Sequence, residues 1–412
     1  MTTRRTASGG LLTGLLTGLL TGLVALTAAG SVQPAVGVAT EPGLRVPARA
    51  TITIDGRGYG HGHGLSQYGA EGAAQQGLSA GQIVRFYYPT TTAGTARGPV
   101  RVLITADTDD STTVLTRSGL AVRDLATGSV TRVPTRGPAS KASRWRLAGG
   151  SGGATKVSYR TDAWHLWKRL DGDGEFRASG PLRLVLPSQN LTYRGTLQSR
   201  TPVGARASHR VTVNRVPLDA YVQGVIPREM PALWHQQALR AQAIAARTYA
   251  AYEEAHSTNP VWQLCDTTSC QVYGGKSGEY PSTNRATAKT AHQVRLSAGQ
   301  PAFTQFSASS GGWTSDGGKP YLPARKDPYD AWPGNAVHSW STSVGSAAIE
   351  KAWPSLGNLT GITVNKRDGN GQWNGRVLTM TLHGSDDPDL TITGDDFRSR
   401  LGLRSTWFSL ST

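Results

Sequence analysis

Carboxyl groups that could do chemistry are scarce in this chain, with 27 Asp and Glu against 43 Lys and Arg in 412 residues. Glu229 stands out in "VIPREMP", between Pro227 and Pro231, with Met230, Leu233 and Trp234 close by. Apolar neighbours desolvate a carboxyl and raise its pKa, as a general acid at neutral pH needs. The N-terminus of the helix that begins a few residues later would push the other way. A solvated loop glutamate and a desolvated general acid therefore both fit these residues. An ordinary glycosidase adds a second carboxylate as base or nucleophile. Only Asp219 is at all near in sequence, and no matching partner stands out. If Glu229 is catalytic, it works alone, first as acid and then as base.

The second candidate is "GYGHGHGLSQYGAEGAAQQG", residues 58–77, with two histidines and seven glycines. A phosphate-cradling loop would need the lysine of a P-loop, and none occurs here. A metal site on His61 and His63 lacks an accompanying ligand set such as HExxH, and residues two apart on a strand point to opposite faces. The reading that survives is a tightly turning loop that walls a cleft. The third candidate is "CDTTSC", which holds the two cysteines, Cys265 and Cys270. Outside the cytosol such a pair most simply forms a disulfide. Half of a zinc site is the alternative, with the remaining ligands drawn from afar.

These groups must be held by elements that the hydrophobic pattern announces. Residues 51–54 alternate as a short strand. "GLSAGQIVRFYYP" (77–89) carries Leu78, Ile83, Phe86 and Tyr87 at helical spacing and ends at Pro89. Residues 100–215 alternate in period two between turns, as in "VRVLITA", "KVSYR", "LRLVLP" and "HRVTVNRV". "VPLDAYVQGV" reads as a short helix from Pro217, broken by the prolines of "IPREMPALW". "HQQALRAQAIAARTYAAYEEA" (235–255) is the longest helix, with eight Ala among 21 residues and Leu239, Ala243, Ala246 and Ala250 on one stripe. Small residues there let other backbones approach closely, so this helix should be central. From 301 the chain turns loop-rich. The tail reads as a β-hairpin around "DGNG", then a strand and a last short helix capped by Asp395. No linker divides residues 45–412, which points to one α+β unit.

Residues 1–39 read as an export signal. Arg4 and Arg5 precede an apolar run with a threefold "LLTG" repeat, and "GVA" ending at Ala39 is a small-x-small cleavage site. About 370 residues follow. The formal net charge is +16. Outside the membrane a basic protein meets anionic wall polymers or lipid. Export and the lack of any nucleic-acid motif argue against nucleic acid as the partner.

"LDAYVQGVIPREMPALWHQQALRAQAIAARTYA" (218–250) resembles the central motif of the SpoIID/LytB family, peptidoglycan lytic transglycosylases and amidase enhancers. "QVYGG" (271–275), "FSASSGG" (306–312), "YLPARKDPYD", "HSW" and the closing "GRVLTMTLHG…LTITGDDFRSRLGLRSTWF" agree with it. The opening stretch is similar to the family's "GHGxGxSQYGA" signature, although His63 stands where an aliphatic residue is usual. The signature here precedes the glutamate, as in many exported actinobacterial-type members. The resemblance implies a single α+β unit with a β-rich lobe and a helical lobe around a central cleft. It divides into a signal peptide (1–39), a signature segment packed on the core (50–95), a core (98–345, β-rich to 215 and helical and catalytic from 216) and a closing hairpin and helix (346–412). It also implies cleavage of MurNAc–GlcNAc bonds in peptide-free glycan strands, with Glu229 as the catalytic residue, no cofactor and no metal. Polar side chains expected at the substrate are His61, Ser66, Gln67, Gln242, Arg247, Tyr249, Gln271, Tyr273, Ser307, Ser309 and Ser310. Partners would be glycan strands, and further an anionic wall polymer or a wall amidase. The enhancer branch of the family keeps a non-enzymatic wall-binding role as the alternative.

Overall fold

The alternation between 99 and 217 becomes strands whose burial follows the side-chain period. In the computed structural model, which describes residues 43–386 and 389–412, Val100 and Val102 of the strand Pro99–Leu103 are buried while the residues between them are half-exposed. The strand Arg144–Gly149 repeats this with Trp145 and Leu147. The export signal expected over residues 1–39 lies outside the described residues.

A seven-stranded sheet runs in the order Leu264–Cys265, Pro99–Leu103, Val211–Pro217, Thr196–Arg200, Gly174–Arg177, Ala121–Asp124, Val130–Arg132. A six-stranded sheet contains Arg144–Gly149, Ser111–Leu115 and Leu182–Val185 at its centre. Residues of both sheets (Val102, Leu197, Trp145, Leu184) share one apolar core with the helices.

Seven α-helices are described: α1 (Gln67–Gln75), α2 (Ala80–Tyr87), α3 (Leu218–Glu229), α4 (Gln236–His256), α5 (Pro281–Lys289), α6 (Ser346–Ala352) and α7 (Gly394–Leu401). Helix α4 is central, as its alanines foretell, with α1, α2, α3 and α5 all packed against it. The architecture is α+β.

Three boundaries differ from the sequence reading. The stretch taken as a loop to residue 77 contains α1, hidden by Gly69 and Gly72 and started by Ser66, whose Oγ accepts the Gly69 N–H at 3.0 Å. Helix α3 runs through Pro227 to Glu229 rather than stopping before it. Pro227 removes only one intrahelical bond, the one to the Gln223 carbonyl, and the neighbouring Gly224 carbonyl accepts the Gly274 N–H at 3.0 Å. Helix α7 is capped by Thr393 in a capping box with Asp396, not by Asp395.

Segments near the two ends of the described residues meet in a second core. The strand Thr51–Arg57 lies between Ser339–Gly345 and Phe408–Ser411, antiparallel to both. The expected hairpin pairs Leu359–Arg367 with Val377–Gly384. Ile52, Ile54, Met380, Phe397 and Phe408 close this core.

Candidate active site

The site begins with the end of a helix. Because α3 continues past Pro227, Glu229 is its last residue, and the side chain enters a cleft of about 600 Å³. The loop "QVYGG" crosses the same helix end. It can do so because position 224 is glycine: a Cβ there would run into the Tyr273 ring and the Gly275 carbonyl. That close approach delivers the Val272 N–H to Glu229 Oε1 at 2.8 Å. From the opposite wall, Gln67 at the start of α1 donates its Nε2–H to Oε2 at 3.4 Å.

Burial pushes the Glu229 carboxyl above its ordinary value, against the opposing pull of the Val272 and Gln67 hydrogen bonds. The desolvation and dipole arguments that compete in the sequence are thereby decided for desolvation. The helix end at Glu229 is moreover a C-terminus, whose partial negative charge also favours the neutral acid. Among the described residues, Glu229 is the only carboxyl lining the cleft. Asp219, the other acid near in sequence, is committed elsewhere, to Arg247 Nε at 2.7 Å and to His292 Nδ1 at 2.7 Å.

Six of the residues singled out in the sequence border the cleft: Glu229, His61, Gln67, Tyr249, Ser307 and Cys270. His61 is on the glycine loop, where Gly58, Gly60, Gly62 and Gly64 all take positive φ and turn the backbone at every second residue. Its Nδ1 accepts the His63 N–H at 2.9 Å, and its ring also bonds the Phe306 backbone. Burial, with help from His63, Arg376 and Arg398, holds its pKa down at about 3, so the ring is neutral at any physiological pH. Both ring nitrogens being engaged, His61 shapes the wall and does not shuttle protons.

The other expected residues are drawn inward. Ser66, Ser309 and Ser310 serve a buried carboxylate network: Ser66 Oγ donates to Asp330 at 2.6 Å, Ser309 Oγ to Asp330 at 2.8 Å, and Ser310 Oγ to Asp327 at 2.8 Å. Arg247, fully buried, ties α4 to Asp219 and to the Thr287 and Gln293 carbonyls. Gln271 accepts from Tyr221 at 3.0 Å, and Tyr273 donates to Asn214 at 2.8 Å. Gln242 is fully buried and neither end of its amide has a partner among the described residues. Gln242 apart, these side chains are bonded into the wall, and none of them lines the cavity. Polar type near a motif predicted proximity to the site but not direction.

Several cleft residues escaped the sequence reading. Tyr59 and Phe306 offer ring faces, Thr268 and Ser269 hydroxyls, and Arg228 and Arg398 positive charge. Thr268 and Ser269 sit inside the Cys265–Cys270 disulfide loop, which closes one side of the cleft. Hydroxyls inside so short a cross-linked loop were a usable signal. Arg398, 169 positions beyond Glu229 on α7, had none.

Comparison with known proteins bears on the same segment. Residues 206–296, which contain Glu229 and the disulfide loop, match the family model described as Stage II sporulation protein, SpoIID. The chain is 41% identical over 115 residues to the amidase enhancer of Bacillus subtilis, covering 26% of this chain and 15% of that protein. It is 28% identical over 233 residues to the stage II sporulation protein D of Bacillus amyloliquefaciens, covering 50% and 63% respectively. An uncharacterized protein of Brachyspira hyodysenteriae is 39% identical over 105 residues, covering 25% and 28%. Each of these matches spans less than two thirds of the relative's own length. Through this segment the chain is similar to the SpoIID family.

Proposed function

We propose that this is an exported, cell-wall-directed protein that cleaves MurNAc–GlcNAc bonds of peptide-free glycan strands as a lytic transglycosylase. The observation that carries the reading is the lone carboxyl of Glu229, raised in pKa and backed by two hydrogen-bond donors, in a cleft of hydroxyls, amides and aromatic faces. Protonated Glu229 donates its proton to the glycosidic oxygen, and the C1–O bond breaks through an oxocarbenium-like transition state. The resulting carboxylate, held by the Val272 N–H and the Gln67 amide, takes the proton of the same sugar's 6-hydroxyl. That oxygen bonds to C1 and closes a 1,6-anhydro ring. The proton returns to Glu229 and no water is consumed, so one carboxyl suffices.

The test is mass spectrometry of fragments from peptide-free strands. Anhydro ends, one water lighter than hydrolysis products, are expected, and Glu229→Gln should lower turnover at least about a thousandfold, in the upper half of the ~10²–10⁴ range usual for one acid–base group because it serves twice. Hydrolytic products, or an active Glu229→Gln protein, would overturn the mechanism. The 41% identity to an amidase enhancer supports a second reading, in which the chain binds wall and stimulates an amidase without cutting glycan. That reading gains if amidase stimulation survives Glu229→Gln while no anhydro ends form.

A further inference from the structure

The cleft carries positive charge that the proton transfers do not use. Arg398 borders it from α7, beside His61. One guanidinium nitrogen, Nη1, bonds Asp395 at 3.1 Å, but Nε is buried with no partner. Behind the histidine loop stands Arg376, 3% exposed, whose Nη2 donates to the Ser310 carbonyl at 3.1 Å while Nη1 is buried without a partner. Asp368 and Asp330 offset its charge only in part. On the far side of Glu229, the exposed Arg228 lies over Gly274 and Gly278 and has no carboxylate partner among the described residues. His61 registers the resulting field, since both Arg376 and Arg398 weigh against its protonation.

Arg398, with its side chain 26% exposed, and the exposed Arg228 put two positive charges on the cleft lining against the single acidic lining residue Glu229. That leaves the charge for a ligand anion. Sugar hydroxyls and acetamides are neutral. The lactyl group of MurNAc is neutral too while it is amide-bonded to a stem peptide, and becomes a carboxylate once the peptide is removed. We propose that Arg398, supported from behind by Arg376 and assisted by Arg228, binds the lactyl carboxylate of peptide-free MurNAc, so that the cleft reads removal of the peptide as the appearance of a negative charge. The inference rests on the cleft being a glycan site, and it assigns the specificity to α7, outside the segment that matches the family model.

The experiment measures binding alone, using full-length Glu229→Gln protein so that no turnover intervenes. Three ligands of equal length are compared: peptide-free GlcNAc–MurNAc strands, the same strands with lactyl carboxylates converted to primary amides, and GlcNAc-only oligomers. The carboxylate strand should bind at least about tenfold tighter than the other two. Adding Arg398→Gln should abolish that preference while leaving the two neutral ligands within about twofold. Arg228→Gln should reduce the preference in the same direction and serves if the Arg398 variant folds poorly. Equal affinity for all three ligands, or an Arg398→Gln loss shared by all three, overturns the proposal. So does equally strong competition by a polyglycerol phosphate, which would make the patch a general anion site. A preserved carboxylate preference without glycan cleavage by wild-type protein would sink the transglycosylase reading and leave this inference standing.

Discussion

Glu229 and Asp330 are both buried carboxyls, yet their environments drive them in opposite directions. Burial acts to raise both, but Asp330 accepts from His338, Ser66, Ser309, Asn335 and the Ser310 and Gly311 N–H groups, and ends below its ordinary value. Glu229 has only two donors, one of them at 3.4 Å, and ends above it. A raised folded-state pKa favours the folded protein fully below the ordinary glutamate value, and that contribution is lost as pH rises through the folded-state pKa. Thermal denaturation should therefore find Glu229→Gln more stable than wild type at pH 8 and equal to it near pH 4, the pattern of a site that trades stability for chemistry. A second prediction concerns Gln67. Removing its amide withdraws stabilisation from the carboxylate, so Gln67→Ala should move the alkaline limb of the pH–kcat profile upward. A purely structural role would lower kcat and leave the limb unmoved.

At the scale of elements, the disulfide loop and the end of α3 form one device. Only Gln271 separates Cys270 from Val272, whose N–H holds the Glu229 carboxyl. Closing a loop this short adds about 2 kcal/mol on the chain-entropy account. Replacing both cysteines with serine should cost that stability in denaturant titration. It should also reduce kcat/KM about tenfold well below the melting temperature, because the loop wall moves with the bond; unchanged kcat/KM would show that the loop is only a staple. The strands between 99 and 217 and helix α4 were legible in the sequence because period and burial agree there. Helix α1 was not, since two glycines hide a helix that Ser66 and a buried alanine face sustain. The continuation of α3 through Pro227 was hidden for a related reason: a proline costs the bond to Gln223 four residues back but leaves the last two helical residues free to continue. At the site, Glu229 and the signature loop could be read from local motifs. Arg398 and the inward turn of Ser309, Ser310 and Arg247 depend on contacts across the whole chain, which no local pattern encodes.

For the molecule as a whole, a net charge of +16 makes encounter with the proposed wall substrate electrostatic. Binding of Glu229→Gln protein to peptide-free sacculi should weaken at least about tenfold between 0.05 and 0.5 M salt, as screening shortens from roughly 14 Å to 4 Å. Insensitivity to salt would remove charge from the account of wall affinity. One structural feature bears on how such a protein comes into being. The strand Thr51–Arg57, which leads directly into the histidine loop, takes one partner from Ser339–Gly345 and the other from the final residues Phe408–Ser411. A chain ending before Phe408 should consequently lose protection of the Thr51–Arg57 amides and of the loop after them, measurable by hydrogen exchange, while the β-rich sheets stay closed. If the chain is exported from its amino end as proposed, the strand leading into the histidine loop stays unpaired on one side until Phe408–Ser411 have crossed. On the proposed reading, topology acts as a timer: the wall of the cleft closes only once Phe408–Ser411 have followed Thr51–Arg57 out of the cell.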